Sequence, residues 1–189
     1  MRGLEMAEVG RAGSAVELAE LLGGRCTPEQ AWELFDRLPA ARVAEVTVGR
    51  WRGEEFDTGH PFAGVLVASG WYGKQFDDPE SVHPLLFADA SGKIFAVDPR
   101  RVPLGLAGKV PIAGVEAVRK LLPVIGPAIR TRRPAARLRD VEYRGVVSAA
   151  MAYDHLPIID HFRRVDADTL LGVMDMRGMG EPYFFILRR

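Results

Sequence analysis

From Arg42 onward the apolar residues of this chain leave helical spacing and recur at about every second position, between short clusters of Gly, Asp, Ser and Pro. Successive side chains of a strand point to opposite faces, so this period means half-buried β-strands. β-Branched and aromatic residues place strands at 43–52, 62–69, 84–89, 93–97, 136–143, 145–153, 158–165, 169–175 and 183–188. The breaks between them are tight: Asp89-Ala90-Ser91-Gly92, Arg144-Gly145, Asp154-His155 and Asp166-Ala167-Asp168. Loops this short join antiparallel neighbours, and about nine to ten such strands escape unpaired edges most readily by closing into a barrel.

Helical patterning is confined to two regions. Ser14 and Glu17 stand at capping-box spacing ahead of Leu18, Leu21 and Leu22, with Gly23-Gly24 as a stop. Thr27, Pro28 and Gln30 then open a second helix whose inward stripe is Ala31, Trp32, Leu34, Phe35 and Leu38. Further on, Val115, Val118, Leu121, Leu122 and Ile125 have helical spacing interrupted by Pro123 and Pro127, which predicts one kinked crossover helix over 115–129. The expected organisation is a disordered lead at 1–13, a helical cap plus the first strands over 14–122, and a β-meander over 123–189 that completes the same barrel.

Composition narrows function by exclusion. Twenty-five basic and twenty-five acidic side chains cancel, which leaves no general attraction for nucleic acid or an anionic membrane. Arg130, Arg132 and Arg133 are the only basic concentration, a loop patch that would suit an acidic partner if the chain were an interaction module. No apolar run reaches the roughly 20 residues of a membrane-spanning helix. A lone Cys26 forms no internal disulfide, and the first thirty residues lack a signal-peptide pattern, so a reducing cytoplasm is the expected location. A homodimer is compatible with all of this.

The run Gly49-Arg50-Trp51-Arg52-Gly53 matches the pattern that names the GXWXG domain family, and Gly70-Trp71-Tyr72-Gly73-Lys74 with His83-Pro84-Leu85 continues the likeness. Ala136 to Arg139, Tyr143-Arg144-Gly145, Tyr153-Asp154, Asp160-His161-Phe162, Met174-Asp175 and Phe184-Phe185 resemble the companion domain of unknown function usually fused behind it. Gly49-x-Trp51 also resembles lipocalins and other calycin barrels, and with Gly53 the haem-binding nitrobindin barrels, although position 55 is Glu55 where that pattern has a third glycine. The resemblance implies a calycin-like barrel in which Gly49, Trp51 and Gly53 are architectural, and it leaves haem open as a cofactor.

The candidate ligand contacts are Trp71, Tyr72, Lys74, His83, Tyr143, Arg144, Met151, Phe162, Arg163 and Met174. Adjacent aromatics followed by glycine and a cation suit a pocket mouth, where Lys74 would meet a carboxylate or phosphate, and Arg144 or Arg163 could hold an anionic head group. Tyr153, Asp154, Asp160 and His161 are the candidate acids and bases. If the strand over 158–165 alternates strictly, Asp160, Phe162 and Arg164 share one face, and Ile159, His161 and Arg163 the other. Neither the four histidines nor Cys26 has metal-site spacing, and no metal is predicted. No G-x-S-x-G elbow, P-loop or dinucleotide fingerprint occurs. The leading expectation is therefore a small-molecule binding protein with a hydrophobic or amphipathic ligand in the barrel. The alternatives are an isomerase- or cyclase-like enzyme using the same cavity, and a haem-binding barrel.

Overall fold

The computed structural model describes residues 2–24, 26–47, 49–89, 91–102 and 128–189, with side chains of the first helix described from Gly13 onward. Two helices, α1 (Arg2–Gly23) and α2 (Pro28–Arg37), precede the single turn α3 (Val43–Val46). Strand β1 (Gly49–Glu55), the short helix α4 (Val65–Ser69), then β2 (Trp71–Asp78), β3 (Ser81–Ala88) and β4 (Ile94–Ala96) complete the first half. The second half is β5 (Ala136–Tyr143), β6 (Val146–Tyr153), β7 (Ile158–Arg164), β8 (Thr169–Met176) and β9 (Tyr183–Arg188).

All pairings are antiparallel. The order β2-β1-β9-β8-β7-β6-β5-β3, with β2 also paired to β3, closes an eight-stranded barrel, and β4 extends β3 as a ninth strand outside the closure. The mainly β barrel expected from the sequence is thus the fold. Closure removes the free edges that an open meander of this length would expose.

Three local expectations are corrected. Residues 43–46 form a helical turn and not the start of a strand, because the Arg42 backbone N–H is taken by Glu45 and the turn seals one barrel end with Val46. Residues 65–69 are helical as well, bracketed by Gly64 and Gly70 in left-handed conformations that terminate the turn on both sides. The valine-rich composition of both segments favours strands, but tertiary position overrides that propensity. Helix α1 starts at Arg2, inside the segment read as a disordered lead, so Ser14 lies within the helix. Helix formers such as Leu4, Glu5, Met6 and Ala7 offset the three glycines there. The kinked helix expected over 115–129 lies, but for Ala128 and Ile129, outside the described residues.

The second helix forms as its sequence dictates. Gln30 N–H donates to Thr27 Oγ1 at 3.3 Å and Thr27 N–H to Gln30 Oε1 at 2.9 Å, the reciprocal capping box. Its buried stripe, Ala31, Leu34 and Phe35, packs with Leu18 of α1 on the outer face of β8 and β9, against Leu171, Val173, Phe184 and Ile186. Leu170, Tyr183, Phe185 and Leu187 of the same strands belong to a separate cluster inside the barrel. Both faces of β8 and β9 are therefore buried, which explains why Thr169–Val173 and Tyr183–Leu187 read as near-continuous apolar runs.

Candidate functional site: a buried ion pair in an aromatic ring

Trp51 of β1 lies inside the barrel, 1 % exposed, and its indole N–H donates to the Val46 carbonyl at 3.0 Å, fastening α3 across that end. Gly53 follows on the same face, where a Cβ would meet the Trp71 ring at 2.2 Å, so the glycine makes room for that indole. Strand β2 then breaks its alternation. Its register against β3 shifts between Trp71 and Gly73 and again between Gly73 and Gln75. This irregularity puts Trp71 and Lys74, three residues apart, in the same interior, where strict alternation would separate them.

Lys74 is 3 % exposed and Asp160, on β7, is 1 % exposed. Lys74 Nζ donates to Asp160 Oδ2 at 2.7 Å and to the Pro84 carbonyl at 3.3 Å. Three rings surround the same nitrogen, with centroids at 4.9 Å (Phe185), 5.8 Å (Trp71) and 5.8 Å (Tyr153). Phe185 holds its place because Gly172 opposite it has no Cβ; one would stand 2.4 Å from the ring. Met151 and Met174 flank Asp160 in register on the neighbouring strands. A buried ion pair persists only where hydrogen bonds and close partners offset desolvation, as these do.

Two polar atoms of this cluster remain unused: Asp160 Oδ1 and Trp71 Nε1 are buried and have no hydrogen-bond partner. Burial raises the Asp160 carboxyl above the ordinary aspartate range against the pull of Lys74. Burial, with the Asp160 charge adding to it, pushes the Tyr153 phenol well above its usual value. Tyr153 also borders an open crevice of about 460 Å³ at the β6–β7 end of the barrel, lined besides by Leu156, Pro157, Ile158 and Arg177 and by the outward-facing Ala152, Ile159 and Asp175. This tyrosine thus links the rim to the ion pair.

A second polar group lies at the β9 start. Glu55 accepts from the Gly64 N–H at the entry to α4, and burial raises its carboxyl. The buried Tyr183 phenol next to it is raised by its own burial first and by the Glu55 charge second. His60 is pinned: its Nδ1 accepts from Phe62 N–H at 3.0 Å and its Nε2 faces the Glu181 carbonyl at 3.2 Å. Sequence reading missed Glu55, Tyr183 and Phe185. The signal was available, since Glu55 continues the every-second-residue series from Trp51 and Gly53, and Phe185 follows Tyr183 in the same way.

Of the residues expected at a site, the barrel brings together Trp71, Lys74, Met151, Tyr153, Asp160, Phe162 and Met174. Within the group brought together, Lys74 is paired with Asp160 and not open to a ligand anion. The barrel separates the others. Arg163 and His161 lie on the outer face beneath α2: Arg163 is fully buried with its guanidinium 4.8 Å from the Phe35 ring, and His161 stacks on Tyr143 at 3.8 Å. Arg144 closes an ion pair with Asp36 at 2.6 Å over Trp32. Asp154 pairs with Arg137 at 2.8 Å, and Arg130 with Asp89 at 3.3 Å. Tyr72 is half-buried, and His83 sits on the outer side of β3, 4.0 Å from Asp77. No described histidine enters the barrel with a free ring nitrogen, so these residues do not fit axial haem ligation. Among the described residues no group of three or more His, Cys, Asp or Glu could hold a metal ion.

Burial drives the His161 imidazole from 6.5 down to about 4, with Asp175 opposing and Arg163 assisting. The folded chain holds this ring neutral whereas the unfolded chain protonates it near 6.5, so its contribution is whole above 6.5 and is lost as pH falls toward 4. Thermal melts across that window are expected to show a loss of about 2 kcal/mol. His161→Phe keeps the stack on Tyr143 and is expected to flatten most of that slope; an unchanged slope would assign it elsewhere.

The fold and site together define a class, a closed antiparallel barrel whose apolar interior carries one buried Lys–Asp pair ringed by aromatic side chains. Comparison with known proteins places it. The GXWXG protein model matches residues 33–92 and the domain of unknown function DUF4334 matches residues 134–189. A crystal structure of a protein from Thermomonospora curvata is similar, with a TM-score of 0.69 and 35 % identity over 94 % of this chain and 98 % of that one. The chain belongs to the GXWXG family, with a DUF4334 segment over residues 134–189. No curated protein matches. Among the described residues no helix is long and apolar enough to cross a membrane.

Proposed function

We propose that the protein binds a hydrophobic or amphipathic small molecule at the barrel interior, with the Lys74–Asp160 pair and its rings as the polar anchor. The observation that carries this reading is the pair of unused polar atoms, Asp160 Oδ1 and Trp71 Nε1, buried among apolar side chains. Each buried polar atom without a partner costs about 1–3 kcal/mol, a cost that a ligand group meeting them would recover. The rim crevice of about 460 Å³, which shares Tyr153 with the interior, is of a size that small molecules occupy. Apolar burial would supply most of the affinity, at about 25 cal/mol per Å².

Native mass spectrometry of protein purified from its own host is the test, followed by a melt with the recovered compound added back. A retained apolar compound that raises the melting temperature with its concentration is expected; at a hundred times its Kd the gain is about 2.7 kcal/mol. A bare mass, together with no shift across apolar test compounds, overturns the reading. A second reading, acid–base catalysis at the same place, is favoured by the raised Asp160 carboxyl with its free oxygen. It predicts that the recovered compound is chemically changed on incubation with the protein, which a carrier would leave intact.

A further inference from the structure

We infer that the head group recognised beside Asp160 is the neutral hydroxyl of an apolar alcohol or phenol, and that a carboxylate of the same size is rejected; the inference rests on the binding reading above. The unused atoms are one acceptor, Asp160 Oδ1, and one donor, Trp71 Nε1. Both belong to residues around the same Lys74 nitrogen, 2.7 Å from Asp160 Oδ2 and 5.8 Å from the Trp71 ring centroid. A hydroxyl is the smallest group that answers both, donating its O–H to the carboxylate and accepting from the indole N–H.

Charge decides the rest. Lys74 and Asp160 cancel, and Arg164, on the same face of β7, is already paired with Glu45. Among the described residues, Glu55, Tyr153 and Tyr183 on this side carry no positive charge, and Arg189, 5.3 Å from the Trp51 ring, is already paired with Asp168 at 2.6 Å. A carboxylate would therefore bring an uncompensated negative charge next to the Asp160 carboxylate in a low-dielectric interior. An ammonium would meet Lys74 with the same difficulty and the opposite sign. Lys74 itself has its carboxylate partner at 2.7 Å and is not available to rescue an incoming anion.

Three probes of equal chain length separate these cases: n-decanol, which donates and accepts; decyl methyl ether, which only accepts; and decanoate, an anion. Each is measured by displacement of the neutral dye N-phenylnaphthylamine from the full chain. The expected result is that decanol displaces dye at about ten-fold lower concentration than the ether or decanoate, the worth of one hydrogen bond to a charged acceptor. In the double variant K74M/D160L, which exchanges the pair for apolar side chains, the ratio of decanol to ether displacement is expected to fall from about ten to about one. Equal displacement by decanol and ether, or strongest displacement by decanoate, would overturn the hydroxyl inference and leave the binding reading standing. Failure of the dye and all three probes to bind the wild type would overturn both.

Discussion

Lys74→Met, made alone, is expected to lower stability by about 4 kcal/mol, whereas the double variant K74M/D160L stays within about 1 kcal/mol of the wild type. The single change strands a carboxylate that is 1 % exposed and whose nearest surroundings are Met151, Met174 and aromatic rings. The double change removes both desolvation costs at once. Asp160 has one escape, which fixes the sign of a pH effect. Its folded-state pKa is raised already with Lys74 present, so protonation favours the folded form and the single variant should regain stability as pH falls. Urea denaturation of the two single variants and the double variant measures the coupling directly. A cost under about 1 kcal/mol for each single variant would mean that water reaches the pair, and the ligand site argued from its burial would go with it.

Gly73→Ala is expected to cost about 4 kcal/mol or more, enough to prevent folding in a domain of ordinary stability. A Cβ on Gly73 would lie 2.1 Å from the Trp51 carbonyl oxygen and 2.6 Å from the Gly53 nitrogen, both backbone atoms that cannot swing aside. Its φ of +143° adds strain for any side chain. Gly92→Ala is the matching control: φ is +79° there, but nothing lies within 4 Å of the new Cβ, so the conformational term of about 1–2 kcal/mol stands alone. Chemical denaturation of both variants separates clash from strain. If Gly73→Ala costs no more than Gly92→Ala, β1 and β2 do not approach as closely as the site requires, and Trp71 and Lys74 need not share a face.

These two predictions rest on features of different legibility. The glycines of Gly49-x-Trp51-x-Gly53 stand out in the sequence; a Cβ on Gly53 would strike the Trp71 ring, whereas Gly49 has open space around it and is needed for its φ of +93°. Gly73 is visible in the run Gly70-Trp71-Tyr72-Gly73-Lys74, but its role is not, because it lies in a register shift between strands that a linear pattern does not record. The same shift explains why Lys74, read from the sequence as a cation at a pocket mouth meeting a ligand carboxylate or phosphate, is turned inward to Asp160.

By itself the sequence determined the strand-rich class, the short antiparallel connections that force closure, the capping box of α2, and the division of β7 into one face with Asp160 and another with His161 and Arg163. All of these depend on neighbours within a few residues, through alternation, turn chemistry or capping. Tertiary structure alone decided which β7 face looks into the barrel. It also made 43–46 and 65–69 helical turns against their strand propensity, and it joined Lys74 to Asp160 across 86 residues of chain. The reason is physical: alternation defines two faces without naming the inner one, and only closure of β2 onto both β1 and β3, with the bulge at Gly73, turns one of them to the core.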